Sequence, residues 1–171
     1  MRMREITGRQ ARALVLGVGL AVVLLDQWTK SWAESALDAS RPQALIGSFL
    51  QLHLTHNAGA AFSFLTGKTW VFTLIATLVS GFLVWKSATI KFRGWAIAVG
   101  LLLGGALGNW VDRLTNPPAF AMGRVVDFIE LPYWPVFNVA DMGVVVGASV
   151  LVLLSLGGYE WSGRHEGSAH V

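Results

Sequence analysis

Residues 136–158 read VFNVADMGVVVGASVLVLLSLGG, an apolar run that carries a single acid, Asp141, a few residues in from its start. A bilayer core of about 30 Å is crossed by a helix of about 20 predominantly apolar residues, and this run meets that length. Hydrocarbon offers a carboxylate no partner, and an uncompensated charge there costs several kcal/mol. Asp141 therefore demands a partner elsewhere in the chain, and the search for it organises the rest of the sequence.

Three more runs of the same kind lie at about 11–32, 69–89 and 95–111. Four spans put both ends of the chain on one side. Arg2, Arg4, Arg9 and Arg12 precede the first run, Lys86, Lys91 and Arg93 fill the short link between the second and third, and Arg164 lies in the tail. Basic residues mark the cytoplasmic side. The two longer connections, about 33–68 and 112–135, then face outward and hold most of the acidic and hydrogen-bonding residues. Trp28, Trp32, Trp70, Trp85, Trp95, Trp110 and Trp134 fall near the ends of spans, where an amphipathic ring suits the headgroup layer. The basic arm and the apolar run Ala13–Leu25 also resemble a cleavable secretory signal. Ser31-Trp32-Ala33 is a poor cleavage site, however, and Asp26-Gln27-Trp28-Thr29-Lys30 keeps helical spacing, so the segment reads as retained. Asp26 and Lys30, four residues apart, can pair along one helix face.

Composition agrees. Of the 171 residues, 54% are hydrophobic and only 13% charged, against about 25% charged in an ordinary soluble domain. Too few charges remain to cover a globular surface. No linker or charge block divides the chain, which reads as one membrane-embedded unit, 1–171. The absence of cysteine removes disulfides, thiolate nucleophiles and cysteine metal sites. The net charge of +3 is not gathered into a basic stripe with interleaved aromatics, so nucleic acid is not an expected partner.

In the first outer connection, Leu50, Leu52 and Leu54 alternate with Gln51, His53 and Thr55, and this period of two predicts a strand over Phe49–Thr55 within an outer sheet region of about 42–65. Such a strand, apolar on one side, could lie on the membrane surface. The segment His56-Asn57-Ala58-Gly59-Ala60-Ala61-Phe62-Ser63 follows, with small side chains that admit another backbone. A turn capped by Asn57 explains it equally well. The third span ends Gly104-Gly105-Ala106-Leu107-Gly108-Asn109-Trp110-Val111-Asp112-Arg113, with Gly105, Asn109, Asp112 and Arg113 on one helical face. Tight helix packing accounts for Gly104 and Gly108. It leaves Asn109 and Arg113 unexplained.

Two carboxylates stand out, Asp127 in Arg124-Val125-Val126-Asp127-Phe128-Ile129 and Asp141 in Phe137-Asn138-Val139-Ala140-Asp141-Met142. The segment between them, with Pro132, Tyr133, Trp134 and Pro135, is short and turn-rich, and can fold one toward the other near the membrane surface. Two adjacent carboxyls do not both ionise readily, so one keeps its proton. Such a pair can activate water: the charged member accepts the water's proton, and the protonated member polarises a carbonyl and protonates the leaving amine. Asn138 is the natural group to orient the pair, with Asn109 and Arg113 placed to hold substrate backbone or nearby acids. The structural alternative pairs Asp127 with Arg124, and Asp141 with Arg113 or Lys30, simply to hold helices together. Metal is disfavoured, since His53 and His56 stand without a His-x-x-x-His or Glu-rich cluster, and no serine-hydrolase motif faces outward. No cofactor is expected. A proton-coupled transporter that uses the aspartates as a relay is the rival function, although four spans without an internal repeat do not suggest one.

These blocks resemble lipoprotein signal peptidase, also called signal peptidase II. Asp26 to Lys30, Asn57 to Ser63, Gly104 to Asn109 with Asp112-Arg113, Val125 to Phe128 and Phe137 to Asp141 occur in that family's order along nearly the whole chain. The stretch Asn116-Pro117-Pro118-Ala119-Phe120 before Gly123 looks longer than usual. The resemblance implies an all-α membrane aspartic peptidase with four transmembrane helices, a small extracytoplasmic surface sheet and a flexible outer loop. Asp127 and Asp141 match the catalytic pair. Asn57, Gly59, Gly105, Asn109, Arg113 and Asn138 match positions that line or support the site, and Asp26 with Lys30 matches a mainly structural motif. The implied substrates are bacterial prolipoproteins whose cysteine carries diacylglycerol, cut on the amino side of that cysteine at the outer leaflet of the cell membrane. Globomycin, a cyclic peptide, is an implied inhibitor, and membrane lipids are implied partners.

Overall fold

The computed structural model describes residues 5–59 and 69–161. Arg2, Arg4, Arg164 and the stretch Ala60 to Ser63 lie outside the described residues. Helix α1 (Gly8–Ala36) opens with a reciprocal cap: Gln10 N–H donates to the Thr7 hydroxyl at 3.3 Å, and Thr7 N–H to the Gln10 side chain at 3.0 Å. Strands β1 (Gln43–Ile46) and β2 (Leu50–Asn57) follow, then helices α2 (Trp70–Lys86) and α3 (Arg93–Thr115), strand β3 (Val125–Glu130) and helix α4 (Val139–Leu156). A short 3-10 turn, Ser87–Thr89, joins α2 to α3. The four helices are long and apolar enough to cross a membrane, as the hydropathy requires.

The packing is inverted relative to a soluble bundle. Leu74, Ile75, Leu78, Val79 and Phe82 of α2, and Val145, Val146, Val152, Leu153 and Leu156 of α4, point outward. Small and polar residues fill the interior instead. Hydrocarbon is as apolar as leucine, so nothing drives large aliphatics inward, and close backbone approach holds the helices together. Gly105 shows the requirement: a Cβ there would strike the Ala140 carbonyl and come within 2.9 Å of the Val144 nitrogen.

The two ends of the bundle differ. At one, Ile6 N–H donates to the Lys91 carbonyl at 3.0 Å, Lys91 N–H to the Trp161 carbonyl at 3.2 Å, and the Trp95 indole to the Tyr159 carbonyl at 2.9 Å. Arg9, Arg12, Lys86, Lys91 and Arg93 collect there, above an apolar cluster of Ala11, Val15, Ile90, Ala96, Val99 and Leu103. The other end carries the antiparallel sheet, in the order β1-β2-β3. Within it Thr55 lies opposite Asp127, and Asn57 opposite Val125.

Several boundaries move. Helix α3 continues through Thr115, so Asp112 and Arg113 belong to the helix and not to an outer connection beginning at 112. Helix α4 starts at Val139 instead of 136, because Asn138 caps it. Strand β2 reaches Asn57, two residues past the predicted end, and gains a partner, β3, that periodicity did not reveal. The leucine face of β2 turns inward: Leu54 is buried with Ala33, Val126 and Phe128, and Leu52 packs beside them. The exposed apolar side chains of this region are Leu45, Ile46 and Phe49.

Candidate active site

The start of α4 builds the centre of the site. Asn138 and Asp141 form a reciprocal cap in which the Asp141 N–H donates to the Asn138 side-chain oxygen at 2.9 Å and the Asn138 N–H to Asp141 Oδ2 at 3.2 Å. A carboxylate in a first helical turn also gains from the helix dipole. The Asn138 amide nitrogen, fully buried, then reaches Asp127 Oδ1 at 2.6 Å, the Asn109 side-chain oxygen at 3.1 Å and the Val126 carbonyl at 3.2 Å. One asparagine thus touches both aspartates and holds α4 to α3 and β3.

Each aspartate has further amide partners. The Asn57 side chain donates to Asp127 Oδ2 at 3.0 Å, and the Asn109 side chain to Asp141 Oδ1 at 2.7 Å. Among the described residues, neither aspartate forms an ion pair. The structural alternative read from the sequence, Asp141 on Lys30 or Arg113 and Asp127 on Arg124, does not occur. Burial pushes the Asp127 carboxyl up from its ordinary 3.8 to about 6. The charge of Asp141 pushes the same way, while the bonds from Asn57 and Asn138 and the charge of Lys30 pull it back.

Lys30 is committed elsewhere. Its ammonium lies 2.7 Å from Asp26 Oδ2 and 2.9 Å from Asp112 Oδ2, with all three side chains buried. The i, i+4 pairing expected for Asp26 and Lys30 is present; Asp112 is the member that sequence reasoning left out of the site. Its signal was a charged residue on the same face as Asn109, inside what is now the last turn of α3. Asp26 Oδ1 accepts the Ala140 N–H at 2.8 Å, and Asp112 Oδ2 accepts the Val126 N–H at 3.0 Å. Gln27, also not foreseen, donates to Asp112 Oδ1 at 2.8 Å and to the Gly108 carbonyl at 3.2 Å. This cluster pins α1 to α3, α4 and β3 immediately below the aspartate pair.

The remaining predicted residues surround the same place. Arg113 donates from Nη1 to the Asn109 carbonyl at 3.1 Å, and its guanidinium sits 5.6 Å from the centre of the Phe72 ring. Its buried Nε has no hydrogen-bond partner among the described residues. Gly59 takes φ +97°, a region few side chains adopt, and its N–H donates to the Asn57 side-chain oxygen at 2.7 Å. Asn57 is therefore both the turn cap and a ligand of Asp127; the other reading of this segment, close approach of another backbone to its small side chains, falls largely outside the described residues. Gly105 lies further down α3 and acts through packing, as described above.

Taken together, fold and site define a multi-pass membrane protein with a pair of aspartates, one buried and one half-buried, at one end of a helical bundle. The family model of signal peptidase II matches residues 18–157. A lipoprotein signal peptidase of Rhodococcus jostii (strain RHA1) is 45% identical over 158 residues, which are 92% of this chain and 80% of that protein. One from Mycobacterium avium (strain 104) is 46% identical over 148 residues, 86% of this chain and 81% of the relative. Two solved structures described as bacterial membrane enzymes superpose with TM-scores of 0.75 and 0.76, each at 28% identity and covering 90% of this chain; the matches cover 92% and 97% of those chains. The chain belongs to the signal peptidase II family, and it is a membrane peptidase.

Proposed function

We propose that this protein removes signal peptides from diacylglyceryl-modified prolipoproteins, cutting on the amino side of the lipidated cysteine, with Asp127 and Asp141 activating one water. The observation that carries the reading is Asn138, which bonds to both carboxylates and fixes them as a unit, with no ion pair to either among the described residues. Asp127, in its buried strand position, is the protonated member. Asp141, whose two oxygens accept N–H bonds at a helix N-terminus, is the proton acceptor.

In the first step Asp141 takes a proton from water while the hydroxide oxygen bonds to the scissile carbonyl carbon. Asp127 donates its proton toward the carbonyl oxygen as charge develops there. The tetrahedral adduct then collapses: one of its two hydroxyls returns a proton to Asp127, the amide C–N bond breaks, and the proton held by Asp141 passes to the departing amine. The products are the signal peptide's new carboxyl end and a lipidated cysteine with a free amino group. Arg113, whose Nε has no hydrogen-bond partner among the described residues, is the side chain that would hold substrate backbone.

Location supports the same reading. The basic end faces the cytoplasm by the positive-inside rule, so both termini lie inside and the aspartates sit at the outer leaflet of the bacterial cell membrane. A substrate held in the bilayer by its acyl chains presents its cleavage site at that depth. Globomycin-type cyclic peptides and membrane lipids would contact the same end. The experiment is a detergent assay of purified protein with a precursor bearing or lacking diacylglycerol. Lipid-dependent cleavage that is lost in both Asp127→Asn and Asp141→Asn is expected; processing retained by either variant would refute the pair.

A further inference from the structure

The ammonium of Lys30 has three N–H donors. Asp26 Oδ2 and Asp112 Oδ2 take two, and the third goes to the Asn109 side-chain oxygen at 3.0 Å. That oxygen also accepts from the Asn138 amide at 3.1 Å, which fills both of its lone pairs. The nitrogen end of the Asn109 amide is thereby turned to Asp141 Oδ1 at 2.7 Å, while Arg113 holds the Asn109 backbone carbonyl at 3.1 Å. Reversing the amide would set its N–H groups against an ammonium and another amide N–H, and its oxygen against a carboxylate. Donor facing donor and acceptor facing acceptor in a buried place leaves groups unsatisfied, which is the costly outcome.

We infer that Lys30 is a positioning residue for the reaction, acting through Asn109: its third N–H fixes the amide orientation in which Asn109 donates to Asp141 and keeps that carboxylate ready to accept the water's proton. The inference rests on the aspartate-pair reading. It adds a chemical role to a lysine whose ion pairs alone would make it a bolt between helices. The groups facing the pair are Asp26, Gln27 and Lys30 from α1, Asn57 from β2, Asn109, Asp112 and Arg113 from α3, Asp127 on β3, and Asn138 at the start of α4. Among the cations, Lys30 is the one linked to Asp141 through a single side chain, that of Asn109.

The test is a double-mutant cycle of Lys30→Met and Asn109→Leu on cleavage of a lipidated precursor, with thermal unfolding in detergent followed in parallel. Each single substitution should lower kcat by ~10- to 100-fold with little change in KM, as expected for a misplaced reacting group. On the Asn109→Leu background, Lys30→Met should cost kcat nothing further, although it still lowers the melting temperature. If Lys30→Met does not fold, Asp26→Asn/Lys30→Met/Asp112→Asn removes the ammonium together with both its carboxylates and is read the same way. Equal kcat losses from the lysine substitution on both backgrounds, or a loss that falls on KM with kcat unchanged, would overturn the inference while leaving the pair intact. Processing by Asp127→Asn or Asp141→Asn would overturn the pair itself.

Discussion

Two sets of aspartates sit side by side at one end of this bundle, and they are built differently. Asp26 and Asp112 share an ammonium between them, whereas Asp127 and Asp141 share an asparagine. A cation closer than 3 Å to both carboxylates offsets their mutual repulsion and ties them together. Amides satisfy hydrogen bonds without cancelling charge, so the second pair must resolve its repulsion by keeping a proton. The same side chain is thus a structural tie in one set and a reagent in the other, and the partner decides which.

That contrast makes its strongest prediction in the reagent set. Asp127→Asn or Asp141→Asn should lower turnover by about 10⁴-fold or more, comparable to removing a member of other catalytic units, with the fold retained by circular dichroism. The matching change in the structural set, Asp112→Asn, should leave far more activity and lower the melting temperature instead. An inactive but fully stable Asp112→Asn protein would collapse the distinction. Next in size, Lys30→Met strands two buried carboxylates and should cost about 3–5 kcal/mol of stability, read as unfolding in detergent.

A smaller effect should come from the packing that holds both sets at one depth. Gly105→Val drives a side chain into the Ala140 carbonyl at the α3–α4 contact, one turn before Asn109, and should cost ~1–3 kcal/mol. Cleavage should fall with stability in that variant, and KM should stay near its original value.

The smallest effect is in pH dependence. The folded protein holds the Asp127 proton up to about pH 6, while an unfolded chain loses it near 3.8. Between those values the native state binds more protons than the unfolded state, so stability declines as pH rises through this window and levels off above about 6. Asp127→Asn should flatten that slope, and kcat/KM of the parent should fall above about pH 6 as the acid is lost.

Hydropathy made the four spans legible because the solvent imposes them: in hydrocarbon every backbone group must be paired internally, and a run of apolar residues has no other stable state. Local spacing sufficed for the Asp26–Lys30 pair, since four residues are one helical turn. The motif blocks then named Asp127, Asp141 and their asparagines through resemblance. What the chain's order left hidden was every contact made across long separations. Asn57 meets Asp127 only because β2 pairs with β3 in one register, and Asp112 meets Lys30 only because α3 lies against α1. Whether each aspartate faces a cation or an amide was decided there, since the helix and strand geometry that sequence dictates says which face a residue occupies, and only packing supplies what stands opposite it.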